Sequence, residues 1–157
     1  MKNIILELSE ESIGSERIRP IPEMDCDAIK WCFAVVFRFS QDKLVVEAPL
    51  FSFMGNFYRA VSVALRDRAI VTINDEYGSF RIDVAVEAER ILLSDAFGGG
   101  SAEFNLGDLI EEIRVAYEGA VMLWEKYIPE LRSSEAYFKV VREVCESETH
   151  LLNSMVK

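Results

Sequence analysis

WCFAVVFRF, residues 31–39, decides the fold. Trp31, Phe33, Val35, Phe37 and Phe39 occupy alternate positions, and Cys32, Ala34, Val36 and Arg38 fill the others. A period of two in aromatic and β-branched residues marks a strand with one fully buried face. Gln41-Asp42-Lys43 then turns the chain, and Leu44, Val46 and Ala48 resume the alternation. The stretch therefore predicts a β-hairpin.

Downstream, Pro49 ends the second strand, and the period lengthens. Phe51, Met54, Phe57, Tyr58, Val61, Ala64 and Leu65 recur at three- and four-residue spacings, which predicts a helix over Ser52 to Asp67. Gly55 weakens its start by about 1 kcal/mol relative to alanine. A strand over Ala69 to Ile73 and a turn at Asn74-Asp75-Glu76-Tyr77-Gly78 follow. Phe80, Ile82, Val84 and Val86 form one face of the next strand, opposite Arg81, Asp83, Ala85 and Glu87. Another strand is expected over Arg90 to Phe97, and then a flexible loop, Gly98-Gly99-Gly100-Ser101. Asn105 caps the longest helix, with Asp108 in its first turn. Leu109, Ile110, Ile113, Ala116, Tyr117, Ala120, Val121, Trp124 and Ile128 form its stripe. Pro129 interrupts it, and Ser133-Ser134-Glu135 starts a last helix carrying Phe138, Val141, Cys145 and Leu152.

Upstream, a short first strand within residues 1–8 leads into an irregular acidic arm, Glu10 to Asp27, with Gly14, Pro20 and Pro22. The order β-ββ-α-βββ-αα predicts an α+β fold: an antiparallel sheet of about five to six strands with helices packed on one face, a two-layer sandwich. The 157 residues form one domain, residues 1–28 being first strand and arm and 29–157 the main body.

Composition narrows the function. Asp and Glu number 27 against 17 Lys and Arg, with one histidine, for a net charge of −10. Such a surface repels phosphate backbones and anionic lipid, which argues against nucleic-acid and membrane partners. It speeds encounter with a basic protein. No apolar run approaches the ~20 residues of a membrane span, and Met1 to Leu8 is too short and too soon acidic for a signal peptide. Cys26, Cys32 and Cys145 lack metal-ligand spacing. Cys32 and Cys145 lie in apolar stretches and read as buried thiols, so a reducing cytoplasm is the expected compartment.

No motif carries a reaction. Gly98 to Ser101 lacks the following GK[ST] of a phosphate cradle, and Glu103 and Asp108 place negative charge where phosphate would sit. The acid pairs Asp25/Asp27, Glu87/Glu89 and Glu111/Glu112 do not face one another across a cleft, as acid–base catalysis requires. His150 stands in what reads as a fraying terminal helix, poor support for a catalytic base. One histidine with three scattered thiols makes no typical zinc site, so neither metal nor cofactor is expected. The aromatic residues between Trp31 and Phe57 match core faces rather than a base-stacking platform, having few cations among them. What remains is the acidic exterior. Asp75 and Glu76 beside Tyr77 at a hairpin tip, and Glu103 with Asp108, are the candidate partner-binding residues. The carboxylates would meet Lys and Arg while Tyr77 serves as an anchor.

In overall design the chain resembles the small acidic immunity proteins of bacterial toxin systems. The likeness lies in WCFAVVFRF opening a sheet, EAPLFSFM leading into a helix, further hairpins and closing helices, and it spans most of Trp31 to Val144. It implies a cytoplasmic protein that binds and neutralises one cognate toxin, often a basic nuclease. A small acidic secretion or assembly chaperone, which would be dimeric and grip its client through apolar grooves, is the alternative. An enzyme of unrecognised type ranks third.

Overall fold

A computed structural model of the chain describes residues 3–8, 23–74 and 80–156. In chain order it contains β1 (Ile4–Leu8), α1 (Cys26–Cys32), β2 (Ala34–Phe39), β3 (Leu44–Pro49), α2 (Leu50–Asp67), β4 (Val71–Asn74), β5 (Arg81–Glu87), β6 (Arg90–Asp95), β7 (Ser101–Asn105), α3 (Leu106–Tyr127), a 3₁₀ turn (Pro129–Ser133) and α4 (Glu135–Met155). The class is the expected α+β, and every strand pairing is antiparallel.

The strands do not form one sheet. They divide into a three-stranded sheet, β1-β2-β3, and a four-stranded sheet, β4-β5-β6-β7. The physical reason is α2, which separates β3 from β4 in the chain and touches β3, β4, β5, α1 and α4. Leu50, Phe51, Phe53, Met54, Gly55, Phe57, Tyr58, Ala60, Val61 and Ala64 are all buried, so α2 is apolar around most of its circumference. A helix with so wide a buried side needs neighbours on several sides, more than one sheet supplies, while Ser52, Asn56, Arg59 and Arg66 form the narrow stripe left facing outward. Its start is tied down by a backbone bond from the Leu50 amide to the Phe33 carbonyl, 2.8 Å long.

Residues two apart on a helix point about 200° apart, so Phe51 and Phe53 serve opposite sides. Phe51 meets Phe33, Tyr117 and Tyr137 edge-on, at 5.9, 6.1 and 6.0 Å, with Trp124 at 6.0 Å. It thereby joins α2 to α3 and α4. Phe53 packs on Phe37 of the first sheet at 4.5 Å and on Phe80, just before β5 of the second, at 5.8 Å. Aromatic pairs of this kind add about 0.5–1.5 kcal/mol beyond the area they bury.

Several sequence-based expectations shift. Trp31 does not begin the strand: the Asp25 side chain accepts from the Ala28 amide at 2.8 Å and caps α1, so Trp31 closes a helix and the strand starts at Ala34. The acidic arm therefore ends earlier than Asp27, and its residues 9–22 lie outside the described ones. The strand expected over Ala69 to Ile73 is Val71–Asn74. The glycine loop joins two strands, β6 and β7, rather than a strand and a helix. Asp95 organises it, accepting from the Phe97 amide at 2.9 Å and donating its own amide to the Gly100 carbonyl at 2.9 Å. Gly100 has φ 122°, and a Cβ there would run into the Lys43 carbonyl of the β2–β3 turn. Only glycine satisfies both conditions.

In α4 the buried stripe is Tyr137, Val140, Val144 and Leu151. The expected stripe of Phe138, Val141, Cys145 and Leu152 is one residue out of phase. Phe138 is 47 % exposed and Leu152 41 %. Ser134 sets the phase by accepting from the Tyr137 amide at 3.1 Å, which turns Tyr137 inward against Phe51. Cys32 and Cys145 are likewise exposed rather than buried, and Cys26 is partly buried. The N-cap at Asn105 is as expected, its side chain accepting from the Asp108 amide at 3.1 Å.

Two predictions follow from the packing and the backbone. Phe51→Ala should cost about 3–5 kcal/mol, whereas Phe138→Ala should cost under about 0.5 kcal/mol, measured by urea unfolding. The β2–β3 turn holds Ser40, Gln41 and Asp42 at φ 49°, 56° and 66°. L-residues pay about 1–2 kcal/mol each in that region, against a glycine entropy cost of about 0.5–1 kcal/mol, so Gln41→Gly should raise stability by about 0.5–1 kcal/mol.

Candidate functional site

The four-stranded sheet presents one face to the core and one to solvent, as antiparallel sheets commonly do. Ile73, Ile82, Val84, Ile91, Leu93, Ala102 and Phe104 point inward. The outward side chains fall into rows fixed by the strand register. Thr72, Asp83, Ser94 and Ser101 lie in line across all four strands. Ala85, Leu92 and Glu103 form a second row, and Glu87, Arg90 and Asn105 a third. Thr72 donates its hydroxyl to Asp83 at 2.7 Å. Leu92, 40 % exposed, stands near the middle as a large apolar group on a polar face. Asp83, Glu87 and Glu103 on the strands, with Glu89 and Asp95 at the strand ends, outnumber Arg81 and Arg90.

Glu103 belongs to this face, but its carboxylate is engaged by Arg90 at 3.0 Å. An exposed pair of this sort contributes about 0–1 kcal/mol and opens readily to a competing cation. Asp108 stands apart, exposed in the first turn of α3, beyond the end of β7. The structure therefore does not combine Glu103 and Asp108 into one row. Asp75, Glu76 and Tyr77, the remaining candidates, lie outside the described residues, between β4 and β5 in the chain.

A second polar arrangement escaped sequence reading. Arg114 on α3 binds Glu111 at 2.6 Å and Glu118 at 3.4 Å. Behind it, Glu148 of α4 accepts from the Tyr58 hydroxyl of α2 at 3.4 Å. Burial raises the pKa of Glu148 above the ordinary carboxylate range, against the opposing pull of Arg114 and the Tyr58 hydrogen bond. Burial, then the charge of Glu148, raises Tyr58, and burial raises Tyr117, whose hydroxyl has no hydrogen-bond partner among the described residues. Partial desolvation, reinforced by Glu148, Glu118 and Glu146, also raises the exposed Cys145 thiol and so favours its protonated form. The E-x-x-R-x-x-x-E spacing of residues 111–118 was visible in sequence, but nothing local pointed to Glu148 or Tyr58.

The acid pairs serve separate partners. Glu111 goes to Arg114, while Glu112 accepts from the Asn3 amide and side chain, both at 3.1 Å. His150 is held within α4, which continues in regular form to Met155. It borders a cleft of about 790 Å³ lined also by Leu65, Arg66, Leu106, Ser154 and Met155. A neighbouring cleft of about 710 Å³, around Ile70 and Val86, shares Leu65 and Ala88 with it. Among the described residues no three His, Cys, Asp or Glu side chains are grouped to hold a metal ion, and no helix is long and apolar enough to cross a membrane. No protein-family model, curated protein or solved structure matches the chain.

The raised pKa of Glu148 fixes the sign of a pH effect. A carboxylate whose folded pKa exceeds its unfolded value favours folding in its protonated form, and that contribution is lost as pH rises through the folded pKa. Glu148→Gln, which mimics the protonated group, should therefore raise Tm at pH 7. The difference from wild type should vanish as pH falls below about 4.3, the unfolded glutamate value. Melting curves across that range check it; a Tm lowered at pH 7 would contradict the burial argument.

Proposed function

We propose that the protein is a non-catalytic binding module of immunity type, which neutralises a basic cognate toxin in the cytoplasm by covering it. The observation that carries this reading is the outward face of the four-stranded sheet. Among the described residues its outward side chains remain largely exposed, it is richer in acid than in base, and it has Leu92 near its centre. The net charge of −10 would draw a cationic protein from a distance and orient it, raising the association rate more than the final affinity. At contact, the partner's Lys and Arg would displace Arg90 from Glu103 and reach Asp83 and Glu87. Leu92 would supply an apolar contact inside the polar rim, as interface centres commonly require. Tyr77, Asp75 and Glu76 belong to the same reading as partner-binding residues.

The two adjoining clefts favour a second reading, the chaperone, because Ala64, Leu65, Ile70 and Val86 offer an apolar groove for an extended client segment. Charge and groove make different demands, so one experiment separates them. Binding to a basic toxin domain encoded beside this chain is measured between about 50 and 200 mM salt, where screening changes strongly. The combined variant Asp83→Asn, Glu87→Gln, Glu103→Gln should bind about tenfold more weakly at the low end and show a flatter salt dependence. Unchanged affinity and slope in that variant would refute the electrostatic mechanism. If Ile70→Gln abolished binding instead, with salt dependence intact, the chaperone reading would replace it.

A further inference from the structure

We infer that α3 carries a self-complementary face on which a second copy of this chain docks, the two α3 helices running antiparallel about a two-fold axis. The helix is pinned on its inner side, where β1, β7 and the 3₁₀ turn lie against it. Its outer side bears Glu111, Val115, Glu118, Gly119, Met122 and Lys126, all of them exposed. At 100° per residue these six fall within about 50° either side of a single line along the helix. Val115 is 56 % exposed and Met122 71 %, which are large apolar exposures for the middle of a long helix. A Cβ placed on Gly119 would meet nothing within 4 Å, so a neighbouring backbone can approach there.

The order of these residues carries the argument. Reversing the helix about the point between Glu118 and Gly119 exchanges Glu111 with Lys126, Val115 with Met122, and Glu118 with Gly119. An antiparallel second copy therefore sets each Glu111 against the partner's Lys126 and each Val115 against the partner's Met122. Glu118 lies over the partner's Gly119, where no side chain obstructs it. The Glu111–Lys126 pair and the Val115–Met122 contact each form twice, as an isologous interface requires. Antiparallel alignment also sets the two helix dipoles favourably, the positive end of each beside the negative end of the other. Glu111 is available for this role: Arg114 holds it, yet its side chain remains 63 % exposed. A basic partner protein is a poorer occupant, since Arg114 and Lys126 already offset the acids along this row.

The inference is independent of the sheet face proposed above, and its test does not involve a toxin. Sedimentation equilibrium and light scattering of the full chain should show a dimer. Lys126→Glu and Glu111→Lys each create two like-charge contacts across the axis. Each should weaken self-association by about tenfold or more while the far-ultraviolet circular dichroism of the chain stays that of the wild type, the positions being exposed. An equimolar mixture of the two variants should recover the dimer, because in the mixed pair every 111–126 contact joins opposite charges. That recovery cannot come from a merely structural effect of either substitution. A chain that stays monomeric at high micromolar concentration overturns the inference. So does a dimer insensitive to both variants, or a mixture that fails to re-associate.

Discussion

Everything in this fold depends on one helix that is buried over more than half of its circumference and leaves only the narrow stripe Ser52, Asn56, Arg59, Val63 and Arg66 toward solvent. α2 carries Phe51 toward one group of aromatic rings and Phe53 toward another, and each group belongs to a different part of the chain. The rings around Phe51 come from the entry to β2, from α3 and from α4. Those around Phe53 come from both sheets. A helix with a narrow apolar stripe could have closed a two-layer sandwich, but one whose buried side is this wide needs neighbours on several sides. Two small sheets and the other three helices supply them. Interiors of this kind are close-packed, so a lost ring on α2 is felt on both sides of the molecule.

That arrangement also sorts the surfaces. Because the four-stranded sheet spends its inner face on α2, its outer face is left to solvent with a regular lattice of short polar and charged side chains. Because α3 spends its inner side on β1 and β7, its outer row is free to be apolar at Val115 and Met122. The two surfaces have different chemistry. The sheet face is acidic, flat and threaded with hydroxyls, while the α3 row is balanced in charge and symmetric about its middle. On the two proposals made above, the sheet face would meet a foreign protein and the α3 row a second copy of the chain.

Much of this was legible in the residues, and the failures have physical causes. The alternation through Phe39 and Leu44 located the first hairpin, and the three- and four-residue recurrence located α2 and α3, because those patterns express burial directly. Asn105 and Ser134 announced their helices through side-chain chemistry that acts over three residues. Trp31 misled, since Asp25 starts a short helix whose last residues happen to continue the alternation of the strand. Phe138, Cys145 and Leu152 misled because α4 offers two apolar stripes one residue apart, and only Phe51 and the Ser134 cap choose between them. The partition into two sheets was hidden for a related reason: periodicity reports whether a helix is buried, not how many layers bury it. At the candidate site, the acidic bias was plain, but the pairing of Glu103 with Arg90 depends on strand register, and the meeting of Tyr58 with Glu148 on contacts 90 residues apart.

The bonds that close the molecule join residues far apart in the chain. Asn3 reaches Glu112, the Cys26 thiol lies 3.9 Å from the Ala136 carbonyl, and Tyr58 meets Glu148. During synthesis the first hairpin and α2 emerge long before these partners exist, so the nascent chain carries bare aromatic rings until Tyr117, Trp124 and Tyr137 have left the ribosome. Such long-separated closure slows folding and prolongs exposure to misassociation. This architecture should therefore lean on a holdase while it is being made, and a truncation that removes only α4 should leave an aggregating remnant rather than a smaller folded protein.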